Sequence, residues 1–147
     1  MAIPRSYKVE QLLVPVDGSA SSLNALQYAA EMLKGRPQGM VHLINIQPLI
    51  LPLGEYPDFD TLEKAQRHYA HGIIKQARQA LAGADIAVAT HIEIGPVAEG
   101  IIQYAQTHKI DQIVMGTRGM GALGNLVLGS VASRIVHLAN LPVTLVK

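Results

Sequence analysis

The sequence has no cysteine, no tryptophan and a single phenylalanine. Without cysteine there are no disulfides, no thiol chemistry and no cysteine-ligated zinc, which is compatible with a reducing compartment. The scarcity of aromatics leaves no run of base-stacking rings. A formal net charge of +1 gives no global attraction to nucleic acid. Long apolar runs are missing too: the tract from Leu126 to Val146 is broken by Arg134, His137 and Pro142, so no membrane insertion is expected. The first eleven residues carry Arg5, Lys8 and Glu10 with no apolar stretch, which does not read as a secretory signal, and a cytoplasmic location is the expectation.

What is present is the composition of a folded domain. The chain of 147 residues is 49% hydrophobic and 16% charged, far from the signature of disorder and long enough to bury one core, so residues 1–147 are expected to form one domain. Gln11-Leu-Leu-Val-Pro-Val16 reads as a buried strand that ends in the turn Asp17-Gly18-Ser19. Ser19 to Lys34 then shows Leu23, Leu26, Ala30 and Leu33 at helical spacing, with Gly35 placed for a left-handed cap. Met40 to Ile46 is a second strand, and Gln47 to Phe59, with three prolines and a glycine, a long connection.

Asp60-Thr-Leu-Glu63 has the form of a capping box opening a helix whose apolar positions are Leu62, Ala65, Tyr69, Ile73, Ala77 and Leu81. Ile86 to Ile94 alternates as a third strand, and Pro96 suits the first position of a third helix carrying Ala98, Ile101, Ile102 and Ala105. Ile110 to Met115 is a fourth strand, Ser130 to Leu138 a short helix, and Val143 to Val146 a final strand. This βαβαβαβαβ order predicts an α/β fold: a five-stranded parallel sheet with helices on both faces and a ligand site beyond the carboxyl ends of the strands.

The segment from Gly116 to Ser130 joins the fourth strand to the last helix and is rich in glycine. Glycines let backbone amides approach an anion, and a helix start adds unpaired N–H groups and a positive dipole end. Beyond Asp111 there is no further acid, while Arg118, Arg134 and Lys147 are present, so the segment is locally basic. Gly119-Met-Gly121-Ala-Leu-Gly124 spells a dinucleotide fingerprint, but its helix starts too late and no acid follows for the ribose. Gly124 to Ser130 approximates a P-loop frame that lacks its lysine.

The full spacing G-x2-G-x9-G-[ST] on Gly116, Gly119, Gly129 and Ser130 resembles the nucleotide-binding loop of universal stress proteins, in the branch that binds ATP. The resemblance extends to Leu12-Leu-Val-Pro-Val-Asp17-Gly-Ser and to the ending Asn140-Leu-Pro-Val-Thr-Leu-Val. It implies the Rossmann-like fold of the adenine-nucleotide α-hydrolase type, strand order 3-2-1-4-5, and ATP or AMP as ligand, with Mg²⁺ a candidate companion of the phosphates. By the same resemblance Asp17 contacts the nucleoside, Pro15 and Val16 lie by the base pocket, and Ile46 edges the adenine. Met115 and Gly116 cover the nucleoside, Gly119, Gly129 and Ser130 hold phosphates, and Val131 and Ala132 offer helix amides. Arg118, at a variable position of the pattern, is read as a phosphate contact. The final strand, if an exposed edge, is where the resemblance implies a homodimer.

The bland readings are that Asp17 only organises its turn and that the glycines only make a loop. His68 and His71, three apart on a helix, are expected to be surface residues, since no carboxylate partner stands at matching spacing; His42, His91, His108 and His137 look scattered. No catalytic residue and no metal site are expected. The leading function is a nucleotide-binding regulatory protein acting on an unidentified protein partner. The alternatives are a slow Mg²⁺-dependent ATPase or phosphotransferase, and an interaction module without nucleotide.

Overall fold

The computed structural model describes residues 8–54, 57–119 and 128–147. Among these, the elements in chain order are β1 (Gln11–Pro15), α1 (Ala20–Leu33), β2 (Met40–Gln47), α2 (Phe59–Ala80), β3 (Ala87–Ile94), α3 (Val97–Thr107), β4 (Gln112–Gly116), α4 (Ser130–Leu138) and β5 (Val143–Val146). The strands make one parallel sheet in the order β3-β2-β1-β4-β5, as the sequence implied. Val14 lies beside Leu43 of β2, and Leu13 beside Ile113 of β4.

Both faces of the central strands are covered, which is why β1 reads as a continuous apolar run: Leu12, Leu13 and Val14 are all fully buried. Leu12 and Val14 face one cluster with Leu26 of α1 and Ile73 of α2. Leu13 faces the other, with Ile44, Ile101 of α3 and Ile135 of α4. The chain runs outward from β1 through β2 to β3, then crosses back to place β4 on β1's other side. The order therefore reverses between β1 and β4, the point where an open α/β sheet leaves a crevice.

Local chemistry sets the element ends, in places differently from the sequence reading. Ser19 caps α1 by accepting from Ser22 N at 3.1 Å, and Gly35 beyond its end takes φ +73°. The cap of α2 is Asp58, not Asp60: its Oδ1 accepts the Thr61 amide at 2.8 Å, which leaves Asp60 in the first turn and frees Glu63 to pair with Arg67 at 2.9 Å. Those hydrogen bonds to Thr61 hold the Asp58 carboxyl below its ordinary pKa.

The buried stripe of α2 also differs, comprising Ala70, Ile73, Ile74 and Ala77, while the expected Tyr69 is 54% exposed. No described residue from 59 to 69 is buried, so the first half of the helix overhangs the sheet. Pro96 is the N-cap of α3 rather than its first residue, its carbonyl accepting from Gly100 N. Among the described residues no helix is long and apolar enough to cross a membrane.

Candidate functional site

At the carboxyl ends of β1, β2 and β4 the structure opens into a cavity of about 310 Å³, within the range of roughly 300–1,000 Å³ usual for ligand clefts. All twelve residues singled out in the sequence line it: Pro15, Val16, Asp17, Ile46, Met115, Gly116, Arg118, Gly119, Gly129, Ser130, Val131 and Ala132. Six more join them that the sequence reading missed: Ser22, Ile44, Asn45, Val97, Ile101 and Thr117. The dinucleotide and P-loop alternatives rested on Gly121 and Gly124, which lie outside the described residues.

The wall at β1 is built by hydrogen bonds that sequence alone did not display. Asp17 Oδ1 accepts the Ser19 amide at 2.9 Å, so the bland role in the turn is real, and Gly18 supplies the φ of +85° that the turn needs. Asp17 also lines the cavity, and a Cβ at Gly119 would stand 2.7 Å from its Oδ2. Asn45, 3% exposed, donates from Nδ2 to the Val16 carbonyl at 2.7 Å and accepts from Gln47 Nε2 at 2.7 Å. It locks the backbone where β1 ends. Its only signal in the sequence was an amide inside the apolar run of β2.

Three glycines of the loop pattern have different physical reasons. At Gly116 a side chain would collide with Ser21, whose backbone C lies 2.7 Å from the built Cβ, so β4 can approach α1 only without one. At Gly119 the close neighbour is instead a side-chain tip, the Asp17 carboxylate. Gly129 differs: its φ is −68° and, among the described residues, a Cβ would meet nothing closer than the Thr117 carbonyl at 3.4 Å. The described residues leave room for a Cβ there, yet a side chain would take up space in the cavity.

Gly129 N donates to the Thr117 carbonyl at 2.7 Å, drawing the start of α4 to the end of β4. Gly129 is the N-cap of α4 and provides no side-chain acceptor, so the first amides of the helix, at Ser130, Val131 and Ala132, lack a capping side chain beside the cavity. Arg118 is exposed; its amide donates to Ser21 Oγ at 3.4 Å and its carbonyl accepts from Ser19 Oγ at 3.5 Å. Arg134, counted with the local basic residues, does not line the cavity. It pairs with Glu99 of α3 at 2.6 Å and, through that hydrogen bond, holds the Glu99 carboxyl below its ordinary pKa.

Away from the cavity, three histidines that look scattered in the sequence converge on Tyr104 of α3. His42 of β2, 6% exposed, donates from Nε2 to Gln11 Oε1 at 2.9 Å and accepts the Tyr104 hydroxyl at Nδ1, 3.0 Å away. His108 stacks on Tyr104 at 3.7 Å between centroids, and His91 lies 4.9 Å from the same ring. Burial, then the nearby His108, pushes the pKa of His42 down, and burial pushes that of Tyr104 up. His68 and His71 are exposed, as expected. Among the described residues no group of three or more His, Asp or Glu is placed to hold a metal ion.

Residues 8–147 match the sequence model of the Universal stress protein family. A universal stress protein from Thermus aquaticus is 35% identical over 92% of this chain and 97% of its own. One from Mycolicibacterium smegmatis is 33% identical over 92% of this chain, which spans 47% of that relative's length. The fold is that of UspA from Lactobacillus plantarum, with a TM-score of 0.82 at 24% identity over 95% and 98% of the two chains. It is shared by an Archaeoglobus fulgidus universal stress protein in complex with dAMP, with a TM-score of 0.68 at 21% identity over 94% and 98% of the chains. An Arabidopsis thaliana family member with AMP bound has a TM-score of 0.66 at 18% identity over 94% and 91%.

Proposed function

The chain belongs to the universal stress protein family, and from that premise we propose that it is a regulatory protein that binds ATP or AMP in the cavity between β1, β2 and β4. The observation that carries the reading is Gly129. Neither its backbone angle nor its packing against the described residues calls for glycine, and it stands at the start of α4, where helix amides without a capping side chain and a positive dipole end favour phosphate oxygens. Family relatives with AMP or dAMP bound support an adenine nucleotide as the occupant.

In this reading the base lies by Pro15, Val16 and Ile46, under the apolar wall of Val97 and Ile101. Met115 and Gly116 cover the nucleoside, and Asp17 accepts a ribose hydroxyl. Gly119, Gly129, Ser130, Val131 and Ala132 receive the phosphates, and the exposed Arg118 side chain closes on them from the rim. Mg²⁺ belongs to the proposal as a companion of the phosphates, which supply its oxygens.

The proposed role is binding rather than turnover. Among the described lining residues the one acid is Asp17, and its Oδ1 is already engaged by the Ser19 amide. Occupancy then alters the surface shown to a protein partner. β5 is an edge of the sheet, with Leu145 38% exposed, and a second copy pairing there is part of the proposal.

The test is to release and identify any small molecule that co-purifies, then titrate the emptied protein calorimetrically with ATP, AMP and NAD, with and without Mg²⁺. Binding of ATP or AMP near one per chain is expected; no adenine-nucleotide binding sinks the reading and leaves the interaction module in its place. Single-turnover ATP loss well above the uncatalysed rate would instead establish an enzyme.

A further inference from the structure

Gly100 sits in the buried interior of α3, where alanine is the better helix former. No unusual backbone accounts for it, since the described glycines with positive φ are Gly18, Gly35, Gly54 and Gly83. What accounts for it is a neighbour on the sheet: a Cβ at position 100 would stand 2.5 Å from Ile46 Cδ1 and 3.8 Å from its Cγ1. The terminal methyl of Ile46 occupies the space that a side chain would fill.

Ile46 is also a wall of the cavity, and it packs in the cluster of Ile44, Ala98, Ile101 and Met115. A close-packed core yields little. The cavity that Ile46 lines is the open space toward which a methyl displaced from α3 moves in the proposal that follows. We propose that Gly100 sets the depth of the base end of the cavity: by receiving Cδ1 of Ile46 it leaves room for the two fused rings of a purine. With alanine at 100 the floor rises, and a purine is excluded while a bare polyphosphate is not. Gly100 acts through Ile46 and is a positioning residue for purine selectivity. The inference rests on the reading that the cavity takes an adenine nucleotide.

The experiment compares wild type, G100A, G100A/I46V and I46F by calorimetric titration with AMP and with tripolyphosphate, alongside thermal unfolding of each. Wild type binds AMP, and G100A loses AMP affinity by about tenfold or more, the scale of one misplaced methyl group in an apolar pocket. Tripolyphosphate affinity is unchanged in G100A. The double variant, which lacks the Cδ1 methyl, recovers AMP binding. I46F raises the same floor from the strand side with Gly100 left in place, shows the same AMP-selective loss, and decides the matter should G100A fold poorly. Equal AMP affinity in wild type and G100A, or a loss shared with tripolyphosphate and not rescued in the double variant, overturns the inference and leaves the nucleotide reading standing. Wild type that binds no adenine nucleotide overturns both.

Discussion

Gly119 lies directly against Asp17: a Cβ at 119 would stand 2.7 Å from the carboxylate Oδ2, although the two residues come from opposite ends of the chain. The contact ties the first strand's turn to the glycine loop. Gly119→Ala must therefore displace either the carboxylate or the loop. Adenine-nucleotide affinity is expected to fall about tenfold or more, a loss of about 1.4 kcal/mol, with a smaller effect on thermal unfolding. Undiminished affinity by calorimetry would remove Asp17 and Gly119 from the site.

Gly129→Ala separates folding from binding. Its Cβ has room against the described residues, the nearest atom among them being the Thr117 carbonyl at 3.4 Å. Stability should change by no more than about 0.5 kcal/mol, as for substitutions away from buried features, while phosphate binding weakens; Gly129→Val should abolish it. A variant that unfolds easily but still binds tripolyphosphate would show that the glycine serves the fold.

Gly116→Ala is the opposite case. The new Cβ meets the backbone of Ser21, which cannot swing aside as a side-chain tip can. Urea unfolding should show a loss of about 1–3 kcal/mol, the usual cost of overpacking. No loss would mean that α1 and β4 are less tightly apposed than described.

Asn45→Ala removes the donor to the Val16 carbonyl, within a buried pair at the end of β1. Leaving that carbonyl unsatisfied should cost about 1–3 kcal/mol and loosen the cavity wall, so nucleotide affinity falls along with stability. Chemical denaturation and titration of one preparation check both; a fall in stability alone would confine Asn45 to the fold.

Stability should depend on pH through His42. Its pKa is lowered in the folded protein by burial and by His108, so the unfolded chain binds the proton more readily. Gln11 on β1, Tyr104 on α3 and His108 just past the end of α3 pack on it, and His91 of β3, paired with Glu93, lies against Tyr104. The stabilisation is complete above the ordinary histidine value of about 6.5 and is lost as pH falls from there toward the lowered folded value. Unfolding midpoints measured from pH 8 to 5, in wild type and His42→Gln, test this: the variant should lose the His42 component of the slope.

Much of the fold was legible because its signals are local. A strand buried on both faces must read as an apolar run, so Leu12-Leu13-Val14 was recognisable, and a glycine past a helix end marks a cap, as at Gly35. Where competing local signals were close in strength the reading slipped: Asp58 and Asp60 both suit a cap, and it is Asp58 that accepts the Thr61 amide, while packing against the sheet set which side of the second half of α2 is buried.

The sequence by itself determined the alternation of strands and helices and, through the spacing of Gly116, Gly119, Gly129 and Ser130, the segment that meets the cavity. Those properties depend on residues near one another in the chain. Only the tertiary structure decided what lies across it: that Asp17 meets Gly119, that Asn45 holds Val16, that Arg134 is taken up by Glu99, that His42, His91 and His108 gather on Tyr104, and that Gly100 makes room for Ile46. Apart from Tyr104 and His108, four positions apart, each joins residues between 13 and 102 positions apart, and such a pairing leaves no periodicity to read, because it is set by the order and register in which the strands close into a sheet.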